Sequence, residues 1–241
     1  MNPTHTIDMF MPSSRCGYNG TLGLSDCVCL FLDIASEHAE MLQLGGDEMA
    51  ANNCYWVCAK TRVHFNRMPK ICEKVALTTW PEPQDRISAN RDYELTDSEG
   101  NVLAAGKTQW VIVNTETGRM MPTDSIYPDG LIPLEKKACP EPFSRIRDKF
   151  DDDAIKTYTV LSTDIDINRH MNNAKYFTAF FSLFSISEIE AMNVRTMEVQ
   201  YKNPCYEGDV LHFFKRDTED GGAEYKAALA DGKTIALYRV N

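Results

Sequence analysis

One stretch of the chain concentrates side chains that can do chemistry: Thr163-Asp164-Ile165-Asp166-Ile167-Asn168-Arg169-His170-Met171-Asn172-Asn173. Polar groups recur at every second position, at Asp164, Asp166, Asn168 and His170. In an extended segment that alternation puts all four on one side. An imidazole can take a proton from water, and a carboxylate can orient it. Free N–H groups at a following helix start can stabilise a developing oxyanion. The set points to addition of water to an acyl carbonyl. Taken one residue at a time, a blander account competes, with Asp164 and Asp166 capping a turn and His170 a satisfied core histidine.

Other chemistries lack their residues. Gly23-Leu24-Ser25-Asp26-Cys27 has no closing glycine for a nucleophile elbow, and no HExxH occurs. Gly17 to Gly23 has the wrong spacing for a phosphate loop. Neither Cys27 with Cys29 nor Cys54 with Cys58 has a second pair at zinc spacing, so no metal and no cofactor are expected. The net charge of −10 argues against a nucleic-acid partner. The longest apolar run, from Cys27 to Leu32, stops at Asp33, short of the roughly 20 residues a membrane-spanning helix needs. The N-terminal residues carry no basic-then-apolar signal pattern, and the eight cysteines form no disulfide framework. The expectation is a cytoplasmic chain with reduced thiols.

The elements that would position the motif are written twice. Asn19-Gly20-Thr21-Leu22-Gly23-Leu24-Ser25 and Asn168-Arg169-His170-Met171-Asn172-Asn173-Ala174 each open into an apolar helix, expected over 24–44 and 174–192. Ser25 and Asn172 suit N-caps, and Gly45-Gly46 suits the end of the first helix. Strand alternation follows over 55–65, 75–80, 87–95 and 102–113 in the first copy. In the second copy it follows over 196–202, 210–215, 223–229 and 234–240. A short strand precedes each helix, at 6–11 and 157–161. Strands that follow one another without intervening helices pair antiparallel. Each copy is therefore an antiparallel sheet wrapped around a central helix, and the chain an α+β double hotdog. Residues 1–121 form the first repeat, 122–153 a proline-rich linker and 154–241 the second repeat, which carries the motif. An exposed edge in one copy can pair with the other, so the duplication supplies its own dimer contact and leaves monomer and homodimer both open.

The duplication also weighs the motif. The first copy carries Gly20, Thr21 and Gly23 where the second has Arg169, His170 and Asn172, so the fold does not require histidine there. Only the shared asparagine, Asn19 and Asn168, is structural on this comparison.

Asp164 through Tyr176 resembles the active-site motif of the acyl-ACP thioesterases, the plant-type family with bacterial members. Thr79-Trp80-Pro81, Arg91-Asp92-Tyr93 and Gln109-Trp110-Val111 resemble that family's first repeat. The resemblance implies a double hotdog, a fatty acyl chain on an acyl carrier protein (ACP) as substrate, no cofactor, and catalytic Asp166, Asn168 and His170. An acyl-CoA thioesterase or a non-catalytic acyl-binding protein are the alternatives. One departure bears on mechanism: the family supplies a glutamate just before the position of Cys205, and here that place holds Pro204. Cys205, Glu198 and Glu207 stand nearby. Either His170 activates water directly, or Cys205 is a nucleophile in a Cys-His-Asn arrangement. Because ACP is acidic, Lys60, Arg62, Arg67, Lys70 and Lys74 are a candidate docking face, with a solvated strand face as the equal alternative.

Overall fold

The structure is a computed structural model that describes residues 1–128, 130–151 and 153–241. Asp129 and Asp152, both within the expected linker, lie outside the described residues. The chain divides into two compact units, Met1–Glu141 and Pro142–Asn241.

The first unit runs β1 (His5–Phe10), α1 (Leu24–Met41), α2 (Gly46–Ala51), β2 (Cys54–Phe65), β3 (Lys74–Pro81), β4 (Ala89–Asp97), β5 (Val102–Asn114) and β6 (Met120–Met121). The strands pair antiparallel in the order β1-β3-β4-β5-β2, with β6 on β5. Helix α1 buries Cys27, Val28, Phe31, Ile34, Ala35 and His38, a stripe at helical spacing. It comes close to the sheet because β5 carries Gly106, where a Cβ would sit 2.7 Å from the Phe31 ring. Phe31 then stacks on Tyr93 at 5.0 Å, and burial of each such ring contributes about 2–3 kcal/mol.

The expected cap residues differ from those observed. Ser25 lies inside α1, whose N-cap is Gly23. The helix ends where Gln43 turns left-handed, and Gly45 instead precedes α2. The Glu40 carboxylate explains the glycine, since it bonds Gly46 N at 2.9 Å and occupies the space a Cβ on Gly45 would need.

The second unit runs β7 (Lys156–Thr159), α3 (Lys175–Ser182), α4 (Ile186–Met192), β8 (Thr196–Tyr201), β9 (Val210–Asp217), β10 (Ala223–Ala228) and β11 (Thr234–Val240). Its order is β8-β11-β10-β9-β7, again antiparallel. The helix expected over 174–192 is broken in two. Ser185 and Glu188 form a capping box that starts α4, and the Lys156 ammonium bonds the Leu183 carbonyl at 2.6 Å, closing α3. Phe180 of α3 fills the core, its ring 4.9 Å from Tyr225 and 5.3 Å from Tyr238.

Candidate active site

The motif is a tight turn and not the extended, alternating segment its residue pattern suggests. Asp166 N donates to His170 O at 3.0 Å, Arg169 N donates to Asp166 O at 3.0 Å, and Arg169 is left-handed at φ 62°. This is a three-residue hairpin loop, a type I turn closed by one left-handed residue. Its stem is set by the Ile165–Met171 bridge and by Asn172 N on Asp164 O at 2.8 Å. Met171 N reaches across to Cys205 O at 2.9 Å, fastening the turn to the loop after β8.

The turn collects three of the four polar groups. Asp166 Oδ1 accepts Asn168 N at 2.8 Å, while its Oδ2 stands 3.8 Å from His170 Nδ1. His170 Nδ1 also faces Met171 O at 3.4 Å, and the imidazole remains about one-third exposed. A 3.8 Å separation is long for a hydrogen bond, yet apo sites often tighten only on substrate binding. The Asn168 side chain is exposed, and its amide makes no hydrogen bond among the described residues. Asp164 turns away: it is buried, and its Oδ2 accepts from Tyr158 Oη at 2.7 Å and Leu161 N at 2.8 Å.

The first copy folds the same turn. Gly17 N donates to Thr21 O at 2.8 Å, Gly20 N to Gly17 O at 3.0 Å, and Gly20 has φ 71°. Leu22 N bonds Pro69 O at 2.9 Å, as Met171 N bonds Cys205 O, so Cys205 corresponds to Pro69. Two differences matter. Asn19 Oδ1 is consumed by Thr21 N and Thr21 Oγ1, at 3.1 and 2.8 Å. The shared asparagine is thus structural in the first copy and unengaged in the second, which corrects the reading from residue identity. Moreover, Ile71 N bonds Gly20 O at 3.0 Å and Thr21 bridges Lys70, whereas no such bond joins Glu207 to Arg169. The first turn is zipped to its tip, and the second is open beside His170.

At the start of α3 two of the expected free donors are taken. Ala174 N bonds Asn172 Oδ1 at 2.9 Å and Lys175 N bonds Asn172 O at 2.8 Å, so Asn172 acts as a cap from two residues before the N-cap position. Of the three candidate residues in the turn, Asn168 carries side-chain N–H donors without a partner among the described residues.

Cys205 is fully buried, with its Sγ 3.5 Å from Tyr176 Oη and 3.5 Å from Met171 Sδ. Burial pushes its thiol up to about 11, against a smaller lowering by the Tyr176 hydrogen bond. Pro204 is exposed, as is Glu207. Glu198 is buried on β8, where both its oxygens accept Ser144 N at 3.0 Å. In the candidate basic face, Arg62 is buried with Nη1 on Glu141 O at 3.0 Å. Arg67 forks onto Glu73 at 2.9 and 2.7 Å, leaving Lys70 and Lys74 exposed.

Two family models cover most of the chain: the acyl-ACP thioesterase N-terminal domain matches residues 3–127, and the C-terminal domain matches 147–240. The chain belongs to the acyl-ACP thioesterase family. Among curated members, the chloroplastic oleoyl-acyl carrier protein thioesterase 2 of Arabidopsis thaliana is 24% identical over 94% of this chain and 66% of its own length. The chloroplastic palmitoyl-acyl carrier protein thioesterase of Cuphea hookeriana is 23% identical over 94% of this chain and 59% of its own. The chain therefore spans about three-fifths to two-thirds of these relatives. Two solved members superpose along their length. The acyl-ACP thioesterase from Bacteroides thetaiotaomicron gives a TM-score of 0.83 at 22% identity, covering 99% of this chain and 97% of that one. The 12:0-ACP thioesterase from Umbellularia californica gives 0.87 at 18% identity, covering 100% and 97%. The family fold is the double hotdog, and this chain has it.

Proposed function

We propose that the chain hydrolyses the thioester of fatty acyl-ACP to free fatty acid and ACP, ending chain elongation, with its active site in the turn from Asp166 to His170. The observation that carries this reading is an imidazole, a carboxylate and an unengaged Asn168 side chain in one turn, where the first copy's turn has neither acid nor imidazole and its Asn19 Oδ1 is held by Thr21. In the reaction, His170 accepts a proton from water as the water oxygen bonds the carbonyl carbon. Asn168 donates to the carbonyl oxygen as it gains charge. Collapse of the tetrahedral species breaks the C–S bond, and the proton held on His170 goes to the departing thiolate. Asp166 orients the imidazole through its Nδ1 edge. Attack by water also fits the raised, buried Cys205 thiol, which offers little thiolate near neutral pH.

Pro204 favours a second reading, an acyl-binding protein without turnover, because proline supplies no base. Assaying acyl-ACP beside acyl-CoA at matched chain length separates the readings. Release of fatty acid from acyl-ACP at a kcat/KM at least about tenfold above that for acyl-CoA supports the proposal. Preference for CoA moves the carrier assignment, and binding without release establishes the second reading. A reducing cytoplasmic setting is proposed as well, supported by eight free cysteines.

A further inference from the structure

Beneath the turn lies a polar pair, a buried Asp164 and a half-buried Tyr158, that the mechanism above does not use. Asp164 is 3% exposed, and one of its carboxylate oxygens, Oδ2, accepts from both Tyr158 Oη (2.7 Å) and Leu161 N (2.8 Å). Its main-chain carbonyl accepts Asn172 N at 2.8 Å, the outermost bond of the turn's stem. The residue therefore ties the stem to β7 through its side chain while closing the stem through its backbone.

The first copy shows what the fold itself requires here. Met11 N bonds Glu73 O as Val160 N bonds Asp209 O, at 2.9 Å in each case. That register matches Met9 to Tyr158, Pro12 to Leu161 and Arg15 to Asp164. Arg15 O accepts Gly23 N at 3.0 Å, so the backbone bond is kept in both copies. The side-chain bonds are not. Met9 has no hydroxyl, Pro12 has no N–H, and the Arg15 guanidinium goes to Asp33 at 3.3 Å and Asp26 at 3.9 Å. The whole side-chain tie is confined to the copy that holds His170.

We infer that Tyr158 and Asp164 are positioning residues for the Asp166–His170 turn, an inference that rests on the site proposed above. A short hydrogen bond to a carboxylate that is itself buried is among the stiffer ties available to a loop. The Tyr158 phenol stays a donor, since burial and then the Asp164 carboxylate push its ionisation up. Without the tie the stem can slide relative to β7, and with it the 3.8 Å spacing between Asp166 and His170.

The test measures kcat, KM and the thermal midpoint of Tyr158→Phe, Asp164→Ala and Asp164→Asn on acyl-ACP, with His170→Ala and Arg15→Ala alongside. Displacements near 1 Å can cost up to a hundredfold, so Tyr158→Phe should lower kcat about tenfold and Asp164→Ala more, with KM within about threefold. Asp164→Asn keeps an acceptor oxygen for both donors and should restore kcat to within about threefold of wild type. Arg15→Ala should leave kcat unchanged. A lost packing contact alone would lower the midpoint while leaving kcat intact below it. Folded Tyr158→Phe with wild-type kcat, beside an inactive His170→Ala, overturns the inference even if Asp164→Ala fails to fold. His170→Ala with wild-type turnover would instead overturn the placement of the site, and this inference with it.

Discussion

The turns at Gly17–Thr21 and Asp166–His170 share their backbone hydrogen bonds, one left-handed residue and an asparagine at the same place, yet they differ in what their side chains leave available. In the first, Asn19 satisfies the turn, because Gly17 has no side chain to do so. In the second, the Asp166 carboxylate accepts a different donor, Asn168 N, and the Asn168 side-chain oxygen makes no bond to His170. Two substitutions separate the turns: glycine to aspartate supplies a carboxylate, and threonine to histidine removes the hydroxyl that held the asparagine side-chain oxygen. A functional group here is recognised by the hydrogen bonds it does not make within the turn.

A second pair of equivalent positions separates the units in another way. Glu224 on β10 faces Arg239 on β11 and Arg216 on β9, and both guanidiniums bond it. In the first unit Asp92 faces Lys107 and Trp80, and the Lys107 ammonium is committed to the Cys139 and Glu141 carbonyls. Both Asp92 oxygens are buried, beside the Glu82 carboxylate and the Ala138 main chain and without a cation bonded to them among the described residues. Burial, and then the Glu82 charge, push Asp92 up to about 8. One unit buries a neutralised acid by ion pairing, the other by keeping its proton.

The largest expected effect comes from exchanging residues between the turns. His170→Thr should lower kcat/KM for acyl-ACP by roughly 10²-fold or more, while Thr21→His leaves it unchanged, since the loss of a general base is worth about that much. Comparable losses at both sites would mean the copies share function. Asn168→Ala should cost about 10²-fold in kcat with little change in thermal midpoint, in line with loss of one oxyanion donor. Asn19→Ala should do the reverse, lowering stability by about 1 kcal/mol and sparing turnover.

The two buried acids predict opposite responses. Glu224→Gln leaves two guanidiniums facing a neutral amide and should destabilise by roughly 3 kcal/mol in chemical denaturation near neutral pH. Asp92 has a folded value above its unfolded one, so the stability it contributes is full in acid and lost as the pH rises through about 8. Asp92→Asn cannot ionise and should flatten that loss, which runs from about pH 4 to about 8, making the variant more stable than wild type at pH 8–9 by about 1 kcal/mol or more. An unchanged pH slope would show that Asp92 is not the group responsible.

Cys205→Ala should keep turnover within about threefold, because its counterpart Pro69 makes the same carbonyl bond without a thiol, and should cost about 1–2 kcal/mol for the cavity. Loss of turnover in the folded variant, with a trappable acyl-Cys205, would favour the nucleophile mechanism. The smallest effect is expected at Arg169, where Gly20 marks the residue the conformation prefers. Arg169→Gly should raise stability by up to about 1 kcal/mol in thermal or urea unfolding.

Much of this was legible in the residue pattern, and the failures have physical causes. Alternation located the long strands to within two residues, because one face of each is committed to a core. The break in the second helix was written as Ser185-x-x-Glu188 but lay within an apolar run that argued for continuity. The motif was found by its residue types and misread in shape: a left-handed arginine carries no compositional signal, and only Gly20 in the other copy pointed to a turn. The state of Asn168 was not legible, since Asn19 is the same residue and the difference lies in a neighbour. Nor were the partners of Asp92 and Glu224, which depend on strand register.

Activation of water at one turn of the second unit is open to a simple assay. Its most direct test is the steady-state release of free fatty acid from acyl-ACP by wild type and His170→Ala, at equal concentrations of folded protein. The wild type should turn over, and the variant should show a fall of roughly 10²-fold or more in kcat with its thermal midpoint nearly unchanged. A His170→Ala protein that releases fatty acid at the wild-type rate would contradict it.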